Sequence, residues 1–286
     1  MRRITGWFNQ HPRATLRALL AGPLGWISVV YLGSLLILLM HAFWTKDSFT
    51  GKVEPFNWTL DAFVQIISNP VYFTIAARTI GIALLVTITA AVIALPVTYY
   101  MARIASPRTR ALLLVAVTMP LWASYLVKIY AWRTILQTNG LLGWAISPFG
   151  LEGPGLTEIA NSWLVLTYLW LPYMILPVYA GFTRLPNSML DASADLGAKG
   201  WRTFRSVIVP IIFPTMVAGS IFTFSLSLGD YITAQIVGGK VIMLGNVVQQ
   251  NYVTNLPFAA AFATIPVIIV LLYLAAVRRT GALDNL

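Results

Sequence analysis

Apolar residues run along this chain in six long blocks, at about 24–43, 76–101, 111–132, 161–181, 210–229 and 259–277. Each is close to the roughly 20 residues that a helix needs to cross a hydrocarbon core, and each reads as a transmembrane helix. Polar segments containing glycine and proline separate them. The first block has the basic flanks of a signal peptide, but it is long and lacks a clear small-residue cleavage site, so it reads as an uncleaved span. The pattern predicts an all-α integral membrane protein. Residues 1–21, with Trp7, Phe8 and spaced arginines, form a short interfacial segment before span one. A six-span domain covers 22–280, and a short tail covers 281–286. No internal repeat and no low-complexity segment interrupts this order.

Composition sharpens the reading. Of 286 residues, 58% are hydrophobic and 10% charged, against roughly 25% charged in soluble domains. A net charge of +10 would suit nucleic acid, but the charges sit between hydrophobic runs, where they orient a chain in a membrane; no nucleic-acid partner is expected. There is no cysteine, hence no disulfide framework and no thiolate metal site. The two histidines, His11 and His41, both lie near the N-terminus, which argues against a histidine triad or zinc site. No G-x-x-x-x-G-K-[ST] phosphate loop is present, since "VGGKVI" and "GAKGWRT" lack its spacing. Work driven by ATP would need another chain to hydrolyse it.

The basic residues give an orientation. Arg2, Arg3, Arg13 and Arg17 precede span one; Arg103, Arg108 and Arg110 lie between spans two and three. Arg184, Lys199, Arg202 and Arg205 lie between four and five, and Arg278 and Arg279 follow span six. Thirteen of the nineteen Lys and Arg therefore share one side, the cytoplasm by the positive-inside rule, and both termini lie there with them. The opposite loops, 44–75 and 133–160, carry Trp44, Trp58 and Trp144, which suit a membrane–water boundary.

The loop between spans four and five, "LDASADLGAKGWRTFRSVIVPIIFP" at 190–214, is charged and punctuated by glycine. Ser188-x-x-Asp191 is a capping-box-like start, and Met189, Ala192, Ser193 and Leu196 share a helical face. Gly197 stops that helix as a left-handed cap; Trp201, Phe204 and Ile208 follow at helical spacing before Pro210. A two-helix knob is predicted over 184–209. By residue order it resembles the EAA loop of ABC importer permeases, with Asp191, Ala192 and Ser193 at the Glu-Ala-Ala positions and Gly197 at the glycine. The sequence departs from that pattern in Asp for Glu and Ser for the second Ala. The segments 120–142, 227–239 and 245–262 look like the spermidine/putrescine branch of the same family, which also includes carriers of opines and other small organic solutes.

The resemblance implies a type I importer fold, and a role in docking a separate ATPase for Asp191, Ala192, Ser193, Asp195, Leu196, Gly197 and Ala198. It also implies an ATPase dimer, a second permease, usually a different chain, and an extracytoplasmic binding protein as partners, with membrane lipid around the spans. The chain itself would hold no cofactor, ATP and magnesium belonging to the ATPase, and would perform no chemistry in the inner membrane. Candidate path residues are Trp122, Tyr125, Trp170, Asp230 and Asn246. Asp230 either meets a cationic cargo or is an interfacial acid paired with Lys240 or with a nearby backbone group. The aromatics, with Trp132, either stack on cargo or pack. Asn246, Gln249, Gln250 and Asn251 form a polar cluster in a loop, facing either the binding protein or solvent. Lys128, Arg133 and Arg78 read as snorkelling cations, and Pro96, Pro172 and Pro177 as kinks. A secondary transporter would want acids inside the spans, and a membrane enzyme a catalytic constellation at one depth; neither pattern is found.

Overall fold

The computed structural model describes residues 12–47, 52–137, 140–147 and 158–279. The tail expected at 281–286, and Arg2, Arg3, Trp7 and Phe8 of the first segment, lie outside the described residues. Helix α1 (Pro12–Trp26) passes through wider π-type turns (Ile27–Leu32) into α2 (Gly33–His41). An antiparallel hairpin, β1 (Trp44–Lys46) and β2 (Val53–Trp58), follows; the hydropathy pattern did not anticipate it. Next come α3 (Asp61–Ser68), α4 (Pro70–Tyr99) with its π-type extension (Tyr100–Ile104), α5 (Pro107–Trp122), α6 (Tyr125–Leu136), α7 (Leu141–Ile146) and α8 (Glu158–Arg184). Helices α9 (Asn187–Asp195) and α10 (Gly200–Thr203) form the short hairpin, and π-type turns (Phe204–Ile208) lead into α11 (Val209–Gly229). Helices α12 (Ile232–Ile236), α13 (Leu244–Tyr252) and α14 (Leu256–Arg279) complete the order.

Among the described residues, five helices are long and apolar enough to cross a membrane: Leu19–His41, Pro70–Ile104, Glu158–Arg184, Gly200–Gly229 and Leu256–Arg279. The expected third span is not one helix. Helices α5 and α6 meet at 99°, because Ala123 and Ser124 between them are extended, with ψ of 143° and 133°. Counted as one broken span, the pair makes six. A helix end leaves its last carbonyls without amide partners. Lys128 Nζ donates to the Pro120 carbonyl at 2.9 Å, which sets a cation at the negative end of α5. Lys128 therefore stitches the break. Pro96, Pro172 and Pro177 lie inside unbroken helices.

The described chain divides into two compact units. In the first, Met1–Ser68 with Asn251–Thr264, the Phe43 ring lies 5.2 Å from Phe63 and 6.2 Å from Trp58. Lys46 Nζ donates to the Thr254 carbonyl at 2.6 Å. The second unit, Asn69–Gln250 with Ile265–Leu286, is centred on α4, α8 and α11, which pack on one another. Their shared core takes Ala90 and Ala94 from α4, Met174, Val178 and Phe182 from α8, and Ile212 from α11. Lipid tails are as apolar as the helices, so association in a bilayer depends on close packing of small residues. At Gly181 an added Cβ would lie 2.3 Å from Thr215 Oγ1, and at Gly219 2.8 Å from Met174 Sδ. Buried Thr79, Thr87 and Thr98 each return their hydroxyl to a carbonyl one turn back, and Thr79 Oγ1 also accepts the Leu244 amide at 3.1 Å.

Candidate functional site

The hairpin begins where Pro186 ends α8. Helix α9 starts at Asn187, and its N-terminus carries no side-chain cap, so the capping box expected at Ser188 is not formed. It ends in a left-handed glycine. Gly197 has φ 72°, its amide donates to the Ala194 carbonyl at 2.8 Å, and the Ala198 amide reaches back to Ser193 at 3.1 Å. That pair of bonds is the Schellman closure that glycine favours.

Of the face expected from the sequence, only Ser193 is buried; Met189, Ala192 and Leu196 are exposed. Ser193 Oγ lies 2.9 Å from Thr203 Oγ1 and ties α9 to α10, while Leu190 packs against the core of the second unit. Asp191, Asp195 and Gly197 are exposed and Ala198 is half-buried. The hairpin thus presents an apolar tip, with Leu196 88% and Trp201 72% exposed. Trp201 stacks on Phe204 at 5.6 Å.

A second cluster lies at the other end of the α4–α8–α11 core. Asp230, just past α11, is 7% exposed. Its carboxylate accepts from the Tyr125 hydroxyl, from the Thr233 amide at 2.8 Å and from Thr233 Oγ1 at 3.0 Å. A buried carboxylate is tolerated only where donors replace its water, and here two residues on α6 and α12 supply them. Of the pairings expected for an interfacial acid, the one with a nearby backbone is formed, through the Thr233 amide, and the one with Lys240 is not. The Lys240 amide instead donates to Glu158 Oε2 at 3.0 Å, and Glu158 packs against Gly239, which has φ 58°.

The Tyr125 ring stacks on Trp170 at 6.1 Å, Trp170 meets the edge of Tyr173 at 5.9 Å, and Tyr173 faces Phe222 at 6.4 Å. An aromatic ladder therefore leads from the carboxylate across α8 to α11. Trp170 Nε1 is buried with no hydrogen-bond partner among the described residues.

Asn246 braces this cluster. Its Nδ2 donates to the Tyr231 carbonyl at 2.9 Å and its Oδ1 accepts the Met243 amide at 3.0 Å. It is buried inside α13, with Gln249 and Gln250 exposed on the same helix, so the polar cluster read as a loop is a helix with two different faces. Gly245 makes the approach possible, since an added Cβ would lie 2.9 Å from the Gly229 carbonyl. Tyr125, Trp170, Asp230 and Asn246 are thus brought together. Trp122 is not: it ends α5 89% exposed. Trp132 packs on Tyr168 at 5.3 Å. Sequence reasoning missed Thr233, Tyr173 and Phe222; the signal for Thr233 was its place three residues after an acid, where a side chain caps a helix.

Comparisons with known proteins bear on the family and the fold. The family model described as "Binding-protein-dependent transport system inner membrane component" matches residues 26–279. The chain is 45% identical to the "Inner membrane ABC transporter permease protein YdcU" of Escherichia coli (strain K12), over 99% of this chain and 95% of that one. It is 30% identical to the "Spermidine/putrescine transport system permease protein PotB" of Haemophilus influenzae, over 91% and 92% of the two chains. Among solved structures it resembles a chain of a bacterial ABC transporter involved in the import of the acidic polysaccharide alginate, with TM-score 0.71 at 14% identity over 96% and 98% of the chains. With its helical spans, short interhelical hairpin and full-length relatives, the chain belongs to the binding-protein-dependent inner-membrane components, the permease subunits of ABC importers.

Proposed function

We propose that this permease forms half of a translocation path for a small organic cation, a di- or polyamine such as putrescine or spermidine. The observation that carries the coupling half of this reading is the hairpin. Its Schellman turn at Gly197 and its exposed apolar tip of Leu196 and Trp201 suit a rigid knob that docks on a separate ATPase. In this reading the ATPase dimer holds ATP and magnesium, and a second permease completes the path. A binding protein delivers cargo from outside, and this chain does no chemistry. One solved relative is an alginate transporter in complex with an alginate-bound periplasmic protein, which supports a binding-protein partner. The Lys and Arg distribution supports cytoplasmic termini and a cytoplasmic hairpin.

The cargo class rests on the names of the spermidine/putrescine relatives, together with the Asp230 carboxylate beside an aromatic ladder. A cation over an aromatic face gains about 0.5–2 kcal/mol. The carboxylate is covered by Tyr125, so in this reading it meets cargo when α6 moves. Calorimetric titration of the cognate binding protein with putrescine and spermidine tests the cargo. Binding of either supports it, and retention of a zwitterion or an anion in their place rejects it. Copurification of an ATPase with this chain tests the transporter class against an autonomous secondary carrier.

A further inference from the structure

Pro186, at the entry to the hairpin, leaves a defect that another helix repairs. The Phe182 carbonyl would take the amide four residues on, but that residue is proline and has no N–H, which leaves it only a long bond of 3.4 Å from the Leu185 amide. The Leu185 carbonyl lies at the same break. Arg103 fills both places: its Nη2 donates to Phe182 O at 3.1 Å and to Leu185 O at 2.5 Å. Its Nη1 donates to Asn187 Oδ1, on the first residue of α9. One guanidinium thus holds the last turn of α8, the joint and the start of the hairpin. It also sits at the negative end of the α8 dipole.

Arg103 itself stands in the π-type extension of α4 (Tyr100–Ile104), and that extension is fixed in turn. Arg110 donates from Nε to Met101 O at 3.0 Å and from Nη2 to Ala102 O at 3.1 Å. The bonds from Arg103 cross 79 to 84 residues of sequence. Arg103 Nε is buried with no acceptor among the described residues, so the fork holds an unused donor beside the joint.

We propose that Arg103 is a positioning residue that locks the hairpin to the end of the second span, so that the two move as one body. This rests on the reading of the hairpin as the ATPase-coupling element. Without the lock, α9 remains attached to the bundle through Pro186 and through Leu190 packing, and ATPase motion is absorbed at the joint instead of reaching α4. A planar fork that serves three acceptors is not replaced by an ammonium, which makes a point contact.

The chain has no native cysteine, so a spin-label pair at R108C and S188C, introduced with partner subunits freed of reactive cysteines, reports the separation of the α4–α5 turn and the hairpin. Both positions are exposed. The pair is measured in the full transporter, nucleotide-free and trapped with ATP and vanadate. With Arg103 present, one narrow distance is expected, the same in both states. In Arg103→Met a second distance should appear on trapping, with the ATPase still copurified and hydrolysing ATP. Putrescine uptake per ATP should fall roughly tenfold, the scale of a lost charged hydrogen bond. Arg103→Lys should fall between the two, and Asn187→Ala, which removes one exposed acceptor, should lose about twofold at most.

A native distance that changes on trapping would overturn the proposal, because hairpin and turn would not be one body. An unchanged single distance in Arg103→Met would overturn it as well. If Arg103→Met does not accumulate, Arg103→Lys carries the test, and a native distance and native uptake there reject the lock. Failure of the hairpin reading is a separate result: the ATPase would not copurify with the native chain, or Gly197 variants would transport normally.

Discussion

The Tyr125 hydroxyl and the Asp230 carboxylate hydrogen-bond across 105 residues of sequence, tying the second half of the broken span to the end of the fifth. Removing the donor in Tyr125→Phe keeps the stack on Trp170 but leaves a buried acceptor short of a partner, at a cost of about 1–3 kcal/mol. Thermal unfolding in detergent should show a lower midpoint than the native chain; an unchanged midpoint would mean that the bond does not hold the two spans.

Asp230→Asn separates packing from charge. The amide keeps the shape and can still accept from Thr233, so the complex should assemble. If the carboxylate meets a cation in transit, uptake should drop roughly ten- to a hundredfold, the scale of a charged contact, and Asp230→Glu should retain more activity than Asp230→Asn. Equal uptake by the native chain and Asp230→Asn would reject the contact.

Gly197 is the second test point. At φ 72° a β-branched side chain is strained and proline is excluded, although an added Cβ meets no neighbour within 4 Å. Gly197→Val and Gly197→Pro should therefore insert normally and distort only the turn. Transport should be lost, and the ATPase should lose its cargo-stimulated rate.

Gly181 tests the helix contact. Gly181→Ala places a methyl 2.3 Å from Thr215 Oγ1, an overpacking that costs about 1–3 kcal/mol. Thr215→Ala in the same chain removes that oxygen and should restore part of the loss in a detergent melt. No loss in Gly181→Ala would show that α8 and α11 do not meet there.

Much of this was legible in the sequence, for physical reasons that differ from place to place. The spans announce themselves because each is a continuous apolar block. The hairpin is legible because charge, small residues and one glycine interrupt two such blocks, and Gly197 does take the left-handed turn. The break in the third span is not legible: "PLWASYL" stays apolar through Ala123 and Ser124, so hydropathy runs smoothly across a 99° bend. Lys128 and Arg103 looked like membrane-flanking charges because most of their acceptors are backbone carbonyls, which no side-chain pattern reveals. Asn246 looked like loop polarity for a similar reason, since its partners are a carbonyl and an amide.

Topology is checked most simply by reporter fusions. A fusion at residue 150 and one at the C-terminus should report opposite sides of the membrane, given six crossings and the basic residues at the hairpin end. Signals from the same side would remove the assignment of the hairpin to the cytoplasm.

The most direct measurement is uptake of radiolabelled putrescine by proteoliposomes that hold this chain with its second permease and ATPase, followed together with ATP hydrolysis. Uptake should require ATP on the ATPase side and the binding protein on the other, and it should vanish in Gly197→Pro while the ATPase stays bound. Uptake by this chain alone on an ion gradient, or full ATP-driven uptake in Gly197→Pro, would contradict the account.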